Sequence, residues 1–192
     1  MTAEDLSDET ERLGMKIERT VIANLENRRR ASISIAEVLV LAKALRMPPV
    51  LLFLPVGDGP PTTEALPGKI VSTWAAARWV TGEAPFAADD AGEDMAPEDL
   101  NEWELSAGPL DYYRRHDQCV RDLTSILRKV NNPLLGQSAT LNERKVWREG
   151  VDALEEVLRA LRGLMRRNGI LVPQLPARLR YVDAHVPQPG DE

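Results

Sequence analysis

The sequence predicts an all-α protein built in consecutive pieces: short N-terminal helices, a small central module and a C-terminal helical hairpin. Three observations carry this. Val38, Leu41, Ala42 and Leu45 fall at i, i+3, i+4 and i+7, one face of a helix. Trp147, Val151, Leu154, Leu158, Leu161 and Met165 step by 4, 3, 4, 3 and 4, the period of a heptad seam. Helix-start signals sit where such patterns begin: Thr2 with Asp5, and Ser34 with Glu37.

Residues 1–56 form the first piece. The Thr2 and Asp5 capping pair opens a helix through Leu13, and Gly14 stops it. A second helix spans about residues 18–26. A third starts at Ser34, with Ile33 and Val38 at the two positions of a hydrophobic staple, and ends at Pro48-Pro49. Val50 to Leu54 adds a fourth turn that closes the core. Residues 57–82 are a strand-helix module: a Gly/Pro loop, a short strand at Lys69-Ile70-Val71, and a helix capped by Ser72, stopped by Gly82 and carrying Trp74 and Trp79.

Residues 83–107 hold nine Asp or Glu and no Lys or Arg, which predicts a flexible acidic linker. Residues 108–169 form the hairpin. Its first arm runs over 109–130, with Tyr113, His116, Val120, Leu123, Leu127 and Val130 three or four apart. Asn131-Asn132-Pro133 breaks it, and the second arm runs over 141–168 with Asn142 as cap. The seam of that second arm, Trp147 to Met165, predicts a homodimer. Residues 170–192 hold four prolines and read as a tail that drapes over the surface or frays.

Bulk properties narrow the function classes. The chain has 192 residues, a net charge of −6 and one cysteine, Cys119, so no disulfide framework forms within it. The acidic opening Met1-Thr2-Ala3-Glu4-Asp5 is unlike a secretory leader. The longest apolar run, residues 47–56, is half the roughly 20 residues a spanning helix needs. A cytoplasmic protein without a membrane partner is expected. Catalysis is not: His116 lies on the apolar seam, His185 lies among prolines, and Cys119 lacks a nucleophile context. No phosphate loop or zinc spacing occurs. Asp89-Asp90 and Glu93-Asp94 are carboxylate pairs within the linker, read as solvated. No cofactor or metal is expected.

The informative stretch is residues 14–30. On a helix over 18–27, Val21, Ile22 and Leu25 gather on one side, and Arg19, Thr20, Ala23, Asn24 and Asn27 on the other. Arg can chelate guanine O6 and N7, Asn can pair with adenine N6 and N7, Thr offers a hydroxyl or methyl, and Ala23 lets the helix approach closely. Residues 12–30 carry six basic and two acidic side chains, net +4 against the acidic whole. Lys16, Asn27, Arg28, Arg29 and Arg30 are placed to meet phosphates.

Thr20-Val21-Ile22-Ala23-Asn24-Leu25-Glu26, the basic loop after it, Ala42-Lys43-Ala44-Leu45 and the Leu-rich turn after Pro49 resemble the Cro/XRE (phage-repressor-like) helix-turn-helix regulators of actinobacterial type. The resemblance covers about the first 55 residues. It implies a scaffold helix around Leu6 and Ser7, a recognition helix over 18–27, base contacts from Arg19, Thr20, Ala23 and Asn24, and double-stranded DNA as partner. Leu66-Pro67-Gly68, Trp74 and Met165-Arg166-Arg167 are similar to segments C-terminal to this domain in such regulators. The segment from Leu6 to Glu26 is about five residues longer than the family spacing. The family's first helix, which commonly supplies a basic partner for the residue at Glu26, is absent ahead of Thr2, so the domain is expected to be incomplete. Two functions are therefore expected: a sequence-specific transcriptional regulator, or a truncated relative that does not bind DNA and oligomerises through its hairpin.

Overall fold

A computed structural model describes residues 1–57, 59–86 and 96–184. The chain is mostly helical, with 65% helix and 5% strand, so the α class holds with one small sheet added. It divides into two compact units, residues 1–100 and 101–192.

In the first unit, α1 spans Ala3–Arg12, α2 Arg19–Glu26 and α3 Ile35–Leu45. A 3-10 turn, Pro49–Leu52, comes next. Local chemistry sets these ends. Thr2 and Ser34 both close full capping boxes, with Asp5 and Glu37 respectively. Gly14, at φ +91°, ends α1: the Met15 amide donates to Thr10 O and the Gly14 amide to Glu11 O. The same paired C-terminal bonds end α2 and α3, but there the left-handed residue is an arginine, Arg28 (φ +54°) or Arg46 (φ +58°). Leu6, Ile17, Ile22, Leu41 and Ala44 form the core of these helices.

The face that α3 buries differs from the expected one. Leu41, Ala42 and Ala44 are buried, Val38 is half-buried and Leu45 is 38% exposed. All of α3 except Glu37 and Lys43 is Ile, Val, Leu or Ala, so more than one stripe reads as apolar. Packing against α1 therefore chooses the stripe, and spacing alone does not.

The central module holds a strand that the sequence pattern does not predict. β1 (Thr62–Leu66) pairs antiparallel with β2 (Lys69–Ser72), with an irregularity between Glu64 and Leu66. The Gly68 amide donates to the Glu64 carboxylate across the turn at 2.7 Å. α4 (Thr73–Val80) is capped by Ser72 as expected. Buried Thr73 ties it back through its hydroxyl to Pro60 O, at 2.6 Å. Leu54, Val71, Ala76 and Ala77 make this module's core, and Trp79 meets Phe86 edge to face at 4.9 Å.

The second unit differs more from expectation. α5 runs over Pro97–Val130, so residues 97–107, expected as linker, are helical. Pro97 opens the helix and Glu98 and Asp99 fill its first turn. That pattern favours a helix start as strongly as the acidity suggested a solvated chain. Pro109 lies inside α5 and withholds an amide from the preceding turn. The Asp89-Asp90 and Glu93-Asp94 pairs and His185 lie outside the described residues. Asn132 caps a short helix, α6 (Pro133–Ser138). α7 (Leu141–Arg167) is capped by Thr140, with Glu143 completing the box, in place of the expected Asn142. Gly150 permits close packing, since a Cβ there would sit 2.6 Å from Ile126 Cδ1 on α5.

Residues 175–182 of the tail are a core element, not a surface drape. A 3-10 segment, Ala177–Val182, packs Leu179 and Val182 at 0% exposure and sits beside Leu175 at 5%, against Cys119, Leu123 and Leu158. Pro173 and Pro176 punctuate an irregular path, while Leu175, Leu179 and Val182 supply a third layer over the hairpin. Among the described residues no helix is long and apolar enough to cross a membrane.

Candidate nucleic-acid interface

The placement of α2 begins with a buried hydroxyl on α1. Thr10 is 0% exposed. Its Oγ1 donates to Ser7 O at 2.8 Å and accepts the amide of Ile17 at 2.9 Å. The loop over 13–18 is thereby fixed to α1 just before α2 starts. Ile17 and Ile22, each 3% exposed, then seat α2 against Leu6 and Leu41.

With Ile22 inward, α2 turns Arg19, Thr20 and Asn24 outward. All three are exposed, and their side chains make no hydrogen bond or ion pair among the described residues. Ala23 between them is half-buried. Asn27 is exposed, but its Nδ2 donates to Ala23 O at 2.7 Å, so one of its polar groups is already used at the helix end. Arg28 and Arg29 are exposed on the adjoining loop.

Two of the cations expected at phosphates are also engaged within the chain. Arg30 is half-buried and forks onto Glu37 with bonds of 2.7 and 3.1 Å. Glu37 also accepts from the Ser34 amide and hydroxyl. The Arg30 guanidinium, followed by these Ser34 bonds, holds the Glu37 carboxyl down at about 2. Arg30 is therefore a clamp between the loop and the start of α3, already bonded to a carboxylate where the sequence reading expects a phosphate. Its planar fork matches a carboxylate as well as a phosphate, and Glu37 is the nearer anion. Lys16 pairs with Glu11 at 3.3 Å, a contact that raises its pKa. Arg12 pairs with Glu9 at 3.0 Å. The α1 surface itself is acidic, with Glu4, Asp5, Asp8, Glu9 and Glu11 against Arg12. Among the described residues the unpaired cations beside α2 are Arg19, Arg28 and Arg29.

The expected dimer seam is consumed inside the second unit. Leu158 and Met165 are 0% exposed and Leu161 is 8%, while Val151 and Leu154 are half-buried against the same core and Trp147 is half-buried. That seam is an intrachain core, because α5 and the 170–182 segment cover it together.

Beside it lies a polar cluster that sequence reasoning missed. Arg162 is 3% exposed. It donates to His116 Nε2 at 2.8 Å, to Pro173 O at 2.8 Å and, through Nε, to Asp183 at 2.8 Å. Its Nη2 also bonds the second Asp183 oxygen. Arg166 adds a bond to Asp183 at 2.9 Å. Arg162, first among these causes, holds the Asp183 carboxyl below its ordinary value. His116, accepting at Nε2 from a guanidinium, carries its proton on Nδ1, facing Asp117 at 3.3 Å. The cluster ties α5, α7 and the tail together, and the buried Arg162 guanidinium has a partner at each of its three nitrogens.

Cys119 is buried and its thiol donates to Leu154 O at 3.4 Å. Burial pushes its pKa up, away from the reactive thiolate. Among the described residues no cluster of His, Cys, Asp and Glu is placed to hold a metal ion. Comparison with protein-family models, curated proteins and solved structures returned no match.

Proposed function

We propose that this protein is a sequence-specific DNA-binding transcriptional regulator of the Cro/XRE kind, with α1 as scaffold helix and α2 as the helix that enters the major groove. One observation carries the reading. Arg19, Thr20 and Asn24 stand together, exposed and unpaired among the described residues, on the outer side of a short helix whose inner side is anchored by Ile22. Those side chains match the hydrogen-bonding edges of guanine, thymine and adenine. Arg28 and Arg29 sit just past the helix end, where they meet flanking phosphates and set the register.

The acidic surface of α1 and the capture of Lys16 and Arg30 by Glu11 and Glu37 favour the second reading, an interaction protein without DNA affinity. The two are separated by selecting duplexes from a random pool with the full chain and measuring binding by fluorescence anisotropy. On the selected site, Arg19→Ala or Asn24→Ala weakens binding by about 1–3 kcal/mol and leaves random DNA unaffected. Equal losses on both DNAs, or no enriched duplex, reject the recognition-helix assignment.

A further inference from the structure

Trp147 opens the heptad stripe of α7, yet it takes no place in the core that Val151, Leu154 and Leu158 build with α5. It is half-buried, and its indole N–H has no hydrogen-bond partner among the described residues. Instead it lines a cavity of about 360 Å³. Val130 at the end of α5, Pro133 and Gln137 of α6, and Arg144 and Arg148 of α7 complete the wall. All of these residues belong to the second unit.

The charges of this cavity have no counterpart within the chain. Arg144 and Arg148 are exposed, and neither side chain makes a hydrogen bond or ion pair among the described residues. The carboxylates close to them in sequence are taken. Glu143 accepts from the Thr140 amide at 2.7 Å and the Thr140 hydroxyl at 2.8 Å, and Glu149 faces Lys145 at 3.7 Å. No carboxylate lines the cavity among the described residues. Two cations four positions apart on a helix repel each other. Arg144, the fourth residue of α7, also sits near the end where the helix dipole disfavours positive charge. Helix stability is served by neither arginine, and an anion held between them relieves both penalties.

The rest of the wall shows what that anion carries. Guanidinium forks take phosphate oxygens in pairs. An indole and a guanidinium both favour contact with an aromatic ring. Gln137 brings a donor and an acceptor for a ring edge, and Val130 and Pro133 supply apolar surface. A volume of about 360 Å³ lies in the range of small-molecule sites and suits one nucleotide. We infer that this cavity binds a small aromatic phosphate of the mononucleotide class, its phosphate between Arg144 and Arg148 and its ring against Trp147. The inference concerns the second unit and stands independently of DNA binding by α2.

Isothermal titration calorimetry on the full chain, with no duplex present, tests it. The probes are adenosine monophosphate, adenosine, inorganic phosphate and a short single-stranded DNA. The monophosphate is expected to bind once per chain, with adenosine and phosphate each at least about tenfold weaker, because each keeps only part of the contacts. Arg144→Gln and Arg148→Gln alter exposed positions, and each weakens the monophosphate about tenfold with an unchanged circular dichroism spectrum. Arg167→Gln, an exposed arginine at the other end of α7, leaves binding as it was, which separates a site from general attraction to a cationic helix. No binding of the monophosphate at about 1 mM overturns the inference. Phosphate binding as tightly as the monophosphate, or indifference to both Arg144→Gln and Arg148→Gln, overturns it equally. A single strand that binds more tightly than the monophosphate and loses that affinity in the same variants overturns it too, since the surface is then a strand track and not a one-nucleotide pocket.

Discussion

The Thr10 hydroxyl on α1 accepts the Ile17 amide, and both residues are buried, at 0% and 3% exposure. The contact spans seven positions and shapes the loop that delivers α2. Replacing Thr10 by Val keeps the side chain's size but removes the acceptor. The Ile17 amide then stays buried without a partner, which costs about 1–3 kcal/mol. Urea unfolding followed by circular dichroism measures the loss, and fast amide exchange at Ile17 locates it. Unchanged stability would mean that the loop over 13–18 is held by its apolar contacts alone.

The Arg30 and Glu37 clamp predicts an acid-sensitive first unit. The Glu37 carboxyl is pulled from an ordinary 4.5 to about 2 in the folded chain. A depressed folded value stabilises at pH above the unfolded value, and that stabilisation is lost as pH falls from about 4.5 through about 2. Glu37→Gln is expected to be less stable than wild type at pH 6 and to converge with it near pH 2. Urea midpoints across that range provide the comparison, and parallel pH curves for the two proteins would remove the clamp.

Arg28 and Arg46 hold the same left-handed conformation at two helix ends. Relieving it with glycine stabilises the fold by about 1 kcal/mol at either position. Only Arg28 lies at the end of α2. Arg28→Gly is therefore expected to raise the unfolding midpoint while lowering the salt dependence of DNA binding by roughly 0.9, the loss of one phosphate contact. Arg46→Gly raises the midpoint and leaves the salt slope alone. Identical DNA binding by the two variants would show that Arg28 takes no part.

Asp183 joins the tail to α7 through Arg162, whose side chain is buried. Asp183→Ala leaves that guanidinium without its counter-charge, at a cost of about 3–5 kcal/mol. Arg166→Ala removes an exposed partner of the same carboxylate and costs at most about 1 kcal/mol. Thermal unfolding of both variants, followed by circular dichroism, gives the ranking, and equal effects would contradict it.

Helix starts were the most legible part of the sequence. Thr2, Ser34 and Ser72 cap as expected, because an N-cap and its partner three residues on form a local motif that needs no tertiary context. Burial was less legible where the apolar supply exceeded one stripe. On α3, Leu45 reads as core and lies exposed; on α7, the heptad Trp147 to Met165 reads as a surface seam and lies within the unit. Arg19, Thr20 and Asn24 could be placed on an outer face from helical geometry alone. Arg30 could not be told from Arg28 and Arg29, since its partner Glu37 also reads as the far half of a capping box. The Arg162 cluster gave no sequence signal, because Asp183 lies 21 positions away with no periodic relation to it.

The tail's place in the core also orders the events of folding. Leu123 and Val182 share one cluster though they are some sixty positions apart in sequence. In the first unit, α1 to α3 close their core within the first 52 residues, and the α4 core needs nothing beyond Phe86. During synthesis from the N-terminus, that unit has its contacts in hand long before the second does. The hairpin of α5 and α7, once made, still lacks the cover that residues 175–182 give to Leu123 and Leu158. A chain halted in that interval carries a finished first unit on a sticky, half-covered second one, the kind of intermediate that chaperones hold and proteases remove.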